Sequence, residues 1–183
     1  LPEAFGQTLA IRRFDRAVSG ARIHIEDFAQ AFGVYPEDKY RKASYGNIAK
    51  VLWQETGADA IVELVRRLAF NALIGNADAH LKNWSLIYPD GRIPRLSPAY
   101  DLVGTIAYIP NERLALSLGG TKNFADIDAA RFRRFAEKAG LPVRLVEVTA
   151  RRTAEAVRDI WRTHEPLRAT QAAASARTSR STR

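Results

Sequence analysis

Gly75-Asn76-Ala77-Asp78-Ala79-His80-Leu81-Lys82-Asn83 is the stretch on which the reading of this chain turns. It is polar, yet it joins two strongly apolar segments. Upstream, Ile61, Leu64, Val65, Leu68 and Ala72 fall at i, i+3, i+4, i+7 and i+11, which predicts a core-facing helix over Asp59 to Leu73 that stops at Gly75. Downstream, Trp84 to Tyr88 and Ile93 to Leu96 flank the turn sequence Pro89-Asp90-Gly91, which predicts a hairpin. The polar residues between them are therefore carried on a rigid frame, where functional loops are commonly found.

Further elements follow outward from this centre. Leu9 to Phe14 alternates weakly and predicts a short strand leading into a Ser19-Gly20 turn, and Ile25 to Phe32 predicts a short helix ended by Gly33. Tyr35 to Ser44 reads as loop. Tyr45 to Glu55 reads as helix, with Ile48, Val51 and Leu52 on one face. Asp128 to Ala139 predicts a helix with Phe132, Phe135, Ala136 and Ala139 inward, stopped by Gly140 and Pro142. A last helix is predicted from Val143 to Trp161. The expected fold class is mainly α with a small β-hairpin.

Composition narrows the function classes. The 183 residues are 46% hydrophobic and 26% charged, enough apolar material for one packed domain. No apolar run approaches the roughly 20 residues needed to cross a bilayer, so no membrane role is expected. There is no cysteine, which excludes disulfides and thiolate metal sites. His24, His80 and His164 lack the spacing of a zinc motif, and no Gly-x-Ser-x-Gly elbow is present. From Arg151 onward eight arginines face only Glu155, Asp159 and Glu165, so most of the +8 net charge belongs to the C-terminal part. Residues 163–183 are Ala, Ser, Thr and Arg with almost no large apolar side chain, and are expected to be a disordered basic tail. The chain opens without methionine or an export-signal pattern, which suggests a fragment of a longer cytoplasmic protein.

The spacing around the polar loop suggests chemistry. Asp78 and Asn83 are five residues apart, and Asp101 follows the hairpin within Ser97-Pro98-Ala99-Tyr100-Asp101. A tight hairpin brings its ends together, so Asn83 and Asp101 are expected to be neighbours. An amide oxygen and a carboxylate at one strand end suit magnesium, which keeps water and phosphate as its other ligands. Asp78, set back in the loop, is placed to orient a hydroxyl and accept its proton. Each residue alone also has a structural reading: Asp78 as a turn residue, Asn83 as a strand-start cap, Asp101 as a helix cap.

Phe70-Asn71-Ala72-Leu73-Ile74-Gly75-Asn76-Ala77-Asp78-Ala79-His80-Leu81-Lys82-Asn83, followed by Leu96-Ser97-Pro98-Ala99-Tyr100-Asp101-Leu102, resembles the kinase core of the HipA family, bacterial toxin-antitoxin serine/threonine kinases. Arg13-Phe14-Asp15-Arg16 resembles the family's hinge, and His24 to Gln30 the opening of its C-terminal lobe. Leu118-Gly119-Gly120-Thr121-Lys122-Asn123 resembles its distal part, and the resemblance spans Ile11 to Trp161. It implies a protein-kinase-like C-lobe of the HipA type over residues 17–162, with 1–16 as a hinge strand segment and the N-lobe absent from this chain. It implies Asp78 as catalytic base, with His80 and Lys82 near the phosphates and Asn83 and Asp101 as magnesium ligands. Arg12 and Phe14 would hold the adenine through their backbone and Asp15 the ribose, with Tyr100 also at the nucleotide. The implied cofactors are ATP and Mg2+. The implied partners are a protein substrate, in known members an aminoacyl-tRNA synthetase, and a HipB-like antitoxin that makes any DNA contact indirect.

Two departures from the family pattern bear on activity. No glycine-rich phosphate loop or ATP-binding lysine precedes the hinge, because Gly119-Gly120 is too short and too late; the isolated chain is therefore expected to be inactive. Arg12 stands where the family usually has an acidic residue. Two alternatives stay open beside the enzyme: a catalytically inactive HipA-like module that binds an antitoxin or DNA, for which flexible arginines would attract phosphates, and a small-molecule phosphotransferase. The intact set of Asp78, Asn83 and Asp101 favours the kinase.

Overall fold

The computed structural model describes residues 11–109 and 111–163. Of the expected tail only Thr163 is described, as the last residue of a helix; the rest of it, His164 included, and the first two residues of the expected N-terminal strand lie outside the described residues. Strand β1 (His24–Asp27) is followed by helix α1 (Phe28–Ala31), α2 (Tyr45–Glu55) and α3 (Ala58–Ile74). Strands β2 (Ser85–Tyr88) and β3 (Arg95–Leu96) precede α4 (Ala129–Ala139) and α5 (Val143–Thr163).

The expected hairpin is present, but it is part of a larger sheet. β1, β2 and β3 form a three-stranded antiparallel sheet in that order, with Ile25 opposite Ile87 and Leu86 opposite Leu96. This corrects the helix expected over Ile25 to Phe32. Its first half is strand, because the edge of β2 offers a complete ladder to His24–Asp27. Asp27 then turns the chain into α1 through a reciprocal capping box with Gln30. The strand expected before the Ser19-Gly20 turn is likewise not formed over residues 11–14. An isolated bridge between Arg16 and Arg22 and the Ala17 N–H donating to the Ala21 carbonyl at 2.9 Å close that turn.

The long helices follow the apolar periodicity closely. α2 begins at Ser44, whose side chain and that of Asn47 cap each other's backbone, and it buries Tyr45, Ile48, Ala49 and Leu52. α3 buries Ile61, Leu64, Val65 and Leu68, each contributing about 1.5–3 kcal/mol relative to exposure. α4 starts at its Asp128 cap and buries all four predicted residues. α5 is amphipathic, burying Val146, Thr149 and Ala150 while its outer face stays charged. These helices share one core with Phe28, Leu116, Leu118, Phe132 and Phe135 at its centre. None of the described helices is long and apolar enough to cross a membrane.

Candidate active site

α3 ends at Gly75, in the left-handed region at φ +67°, and there the polar loop begins. Asn76 is fully buried although its side chain is polar. Its Nδ2 donates to Asn71 Oδ1 on α3 at 3.0 Å and more loosely to the Asp101 carbonyl at 3.5 Å. Its Oδ1 accepts from the Asp78 N–H at 2.9 Å. One amide side chain thus fastens the loop to the helix below it and to the segment that returns from the hairpin.

Asp78 holds a half-exposed carboxylate at the loop's crest. The Tyr40 hydroxyl donates to its Oδ1. That contact, and burial above all, push the Tyr40 phenol well above its ordinary value. His80 lies beneath, 5% exposed, with Nε2 3.7 Å from Asp78 Oδ1 and its ring edge-on to Tyr40 at 5.1 Å. Its Nδ1 is buried without a hydrogen-bond partner. Burial, followed by the Lys39 charge, lowers the His80 pKa and so favours the neutral imidazole. Neighbouring Lys122 donates to the carbonyls of Tyr40 and Ala115 at 2.8 and 2.7 Å and so holds the Tyr40 strap in place.

The loop then folds through a single 3-10 turn, Leu81–Asn83, into β2. Asn83 Nδ2 donates to the Asp78 carbonyl at 2.8 Å, which leaves the amide oxygen as the ligand-capable end. Asn83 and Asp101 line the same narrow cleft, together with Asn71, Asn76, Trp84 and Tyr100. The neighbourhood expected from the hairpin is therefore present. Asp101 is exposed and has φ +55°, an uncommon backbone state for a side chain other than glycine. An amide oxygen and a carboxylate are hard oxygen donors that fit magnesium, which would take its remaining ligands from water and phosphate. No group of three His, Asp or Glu residues suited to a metal occurs among the described residues.

A cavity of about 590 Å³ opens beside this cleft, lined by Arg12, Phe14, Asp15, Lys82, Tyr100 and Asp101 among others. It gathers the sequence-predicted hinge residues Arg12, Phe14 and Asp15 with Lys82 from the loop and Tyr100 and Asp101 from its return. Phe14 packs on Tyr100 with ring centroids 5.7 Å apart. The Tyr100 hydroxyl donates to the Lys82 carbonyl at 2.8 Å and lies 2.5 Å from Ser85 Oγ. Asp15 is gripped by Arg13 (2.8 and 2.6 Å) and Arg16 (2.6 Å). Those contacts, the Arg13 hydrogen bond first, hold its carboxyl down at about 2.

Three contributors escaped the sequence reading. Tyr40 gave no signal, because it meets Asp78 from a segment 38 residues away that reads as plain loop. Asn76 was visible only as part of the polar loop. Asn71 did leave a trace: it continues the series Leu64, Leu68 at i+7, a polar residue on an apolar face.

This α-rich domain brings an Asp-x4-Asn loop and a following Asp together at the end of a small antiparallel sheet. The chain belongs to the HipA-like C-terminal domain family, whose model matches residues 2–161. It is 53% identical over 160 residues to the Sinorhizobium fredii protein named "Putative kinase Y4dM", covering 87% of this chain and 39% of that one. It is 30% identical over 187 residues to the serine/threonine-protein kinase toxin HipA of Shewanella oneidensis, covering 88% and 43%. The solved complex of Shewanella oneidensis HipA with HipB and operator DNA superposes with a TM-score of 0.69 at 26% identity, over 88% of this chain and 45% of that one. The chain spans about two fifths of the length of the curated relatives it matches.

Proposed function

We propose that this chain is the catalytic-loop lobe of a HipA-like serine/threonine protein kinase, the toxin of a toxin-antitoxin pair. The observation that carries the reading is the junction at Asn83. Its amide binds the Asp78 backbone on one side and shares a cleft with Asp101 on the other. Asp78, fixed by Tyr40, orients the hydroxyl of an acceptor serine or threonine and takes its proton through the carboxylate oxygen left free. Asn83 and Asp101 hold Mg2+, which when bound neutralises charge on the ATP phosphates. Lys82, at the mouth of the hinge cavity, faces the same phosphates, and His80 supports Asp78 from below. Arg12 and Phe14 offer backbone groups to the adenine, Asp15 meets the ribose, and Tyr100 floors the nucleotide.

The same reading extends to partners. A HipB-like antitoxin is proposed on the strength of the Shewanella oneidensis complex, with DNA reached through the antitoxin rather than directly. The substrate is a protein in the cytoplasm, an aminoacyl-tRNA synthetase being the family precedent. Phosphoryl transfer needs groups from both sides of the nucleotide, and no glycine-rich loop occurs in these 183 residues. The test compares magnesium-dependent transfer from labelled ATP by the full-length kinase and by this chain alone. Transfer by the former and none by the latter is expected. Rapid ATP turnover by the isolated chain would overturn the assignment of roles between the two lobes.

A further inference from the structure

Asp78 and Asp101 belong to segments that run in different directions, and something must fix the distance between them. The segment after Asp101 bends through a 3-10 turn, Thr105–Ala107, and lies back across the start of the polar loop. There Thr105 Oγ1 accepts the Ala77 N–H at 2.9 Å and donates to the Gly75 carbonyl at 3.3 Å. The Ile106 N–H adds a second donor to that carbonyl at 3.2 Å. The Ile106 side chain covers the bare face of Gly75, where any Cβ would overlap it. Asn76 closes the same joint from the buried side through Asn71, the Asp78 N–H and the Asp101 carbonyl.

We infer that Thr105 and Asn76 are positioning residues: a hydroxyl above and a buried amide below clasp the Asp78 loop to the Asp101 segment and so set the spacing of the base and the metal ligands. This rests on the reading of Asp78, Asn83 and Asp101 given above. Neither residue lines the hinge cavity, and Thr105 also stands outside the cleft of Asn83 and Asp101. Their hydrogen bonds are to backbone groups of the two segments and to Asn71, so their influence is on geometry. The Thr105 methyl is dispensable to that role and the hydroxyl is not. This makes valine and serine an informative pair.

The experiment uses Mn2+ as the metal probe, titrated into the 15N-labelled 183-residue chain, with paramagnetic broadening of the Asn83 and Asp101 amides as the readout. In the wild type both amides are expected to broaden together at one midpoint. Thr105→Val is expected to raise that midpoint roughly tenfold, the scale on which groups supporting metal ligands act. It is also expected to speed hydrogen exchange at Ala77. Thr105→Ser should stay within about twofold of wild type, since it keeps the hydroxyl whose bonds define the role. Thr105→Ala carries the same expectation as valine if the valine variant does not fold. A folded valine or alanine variant with the wild-type midpoint overturns the inference, as does a serine variant shifted as far as valine. Absence of joint broadening in the wild type would instead strike at the metal reading of the proposed function.

Discussion

The Tyr40 hydroxyl donates to Asp78 Oδ1 across 38 residues of sequence. It pins one oxygen of the carboxylate proposed as base and leaves the other for the acceptor hydroxyl. The Tyr40 strap is itself tied down by Lys122, which reaches in from beyond the hairpin. Asp78 is thus held by parts of the chain on both sides of its own loop.

Tyr40→Phe removes that donor while keeping the ring against His80. A hydrogen bond to a charged group contributes about 1.5–3 kcal/mol at most, and less at a half-exposed carboxylate, so a loss of about 1 kcal/mol is expected. Urea denaturation of the two chains measures it. A variant as stable as wild type, with the same transfer rate in the full-length protein, would show that the contact does no positioning.

Gly75 tests the clasp by overlap rather than by deletion. Alanine there meets both an unfavourable left-handed backbone and the Ile106 side chain. The two penalties predict a loss of about 2–4 kcal/mol for Gly75→Ala. Adding Ile106→Ala removes the overlap but not the backbone strain, so the double variant should recover about 1 kcal/mol or more relative to Gly75→Ala. Strictly additive destabilisation in urea would contradict the packing described.

His80 predicts how stability depends on pH. Its folded pKa lies below the ordinary value of about 6.5, chiefly through burial. As pH falls below that value the unfolded chain takes up a proton that the folded chain refuses. Stability is therefore fully present above about pH 6.5 and declines as the pH drops toward the lowered folded value. His80→Gln should flatten this part of the curve. Unfolding free energies at pH 7.5, 6.5 and 5.5 for the two chains give the comparison, and equal slopes would count against a buried neutral imidazole.

Much of this arrangement was legible in the sequence, for identifiable reasons. Helices α2 to α5 announced themselves because their apolar residues recur at helical spacing, and Gly75, Asp128 and Gly140 punctuate the ends of α3 and α4. The meeting of Asn83 and Asp101 was legible because a hairpin is a local element whose two ends have little freedom. Ile25–Asp27 read as helix because a strand of four residues, His24–Asp27, carries almost no periodicity. Their strand state is imposed by pairing with β2, some sixty residues away. Tyr40 and Thr105 were silent for the same reason. Their partners at Asp78, Ala77 and Gly75 are set by tertiary folding, and neither residue type marks a site by itself.

The central claim is that Asp78 and Asp101 serve one phosphoryl-transfer site. It is tested most directly by magnesium-dependent transfer from labelled ATP in the full-length protein and its Asp78→Asn and Asp101→Asn variants. Transfer in the wild type, abolished by each substitution with the fold intact, is the predicted result. A folded wild-type protein that transfers nothing from Mg-ATP, or an active one indifferent to either substitution, would contradict it.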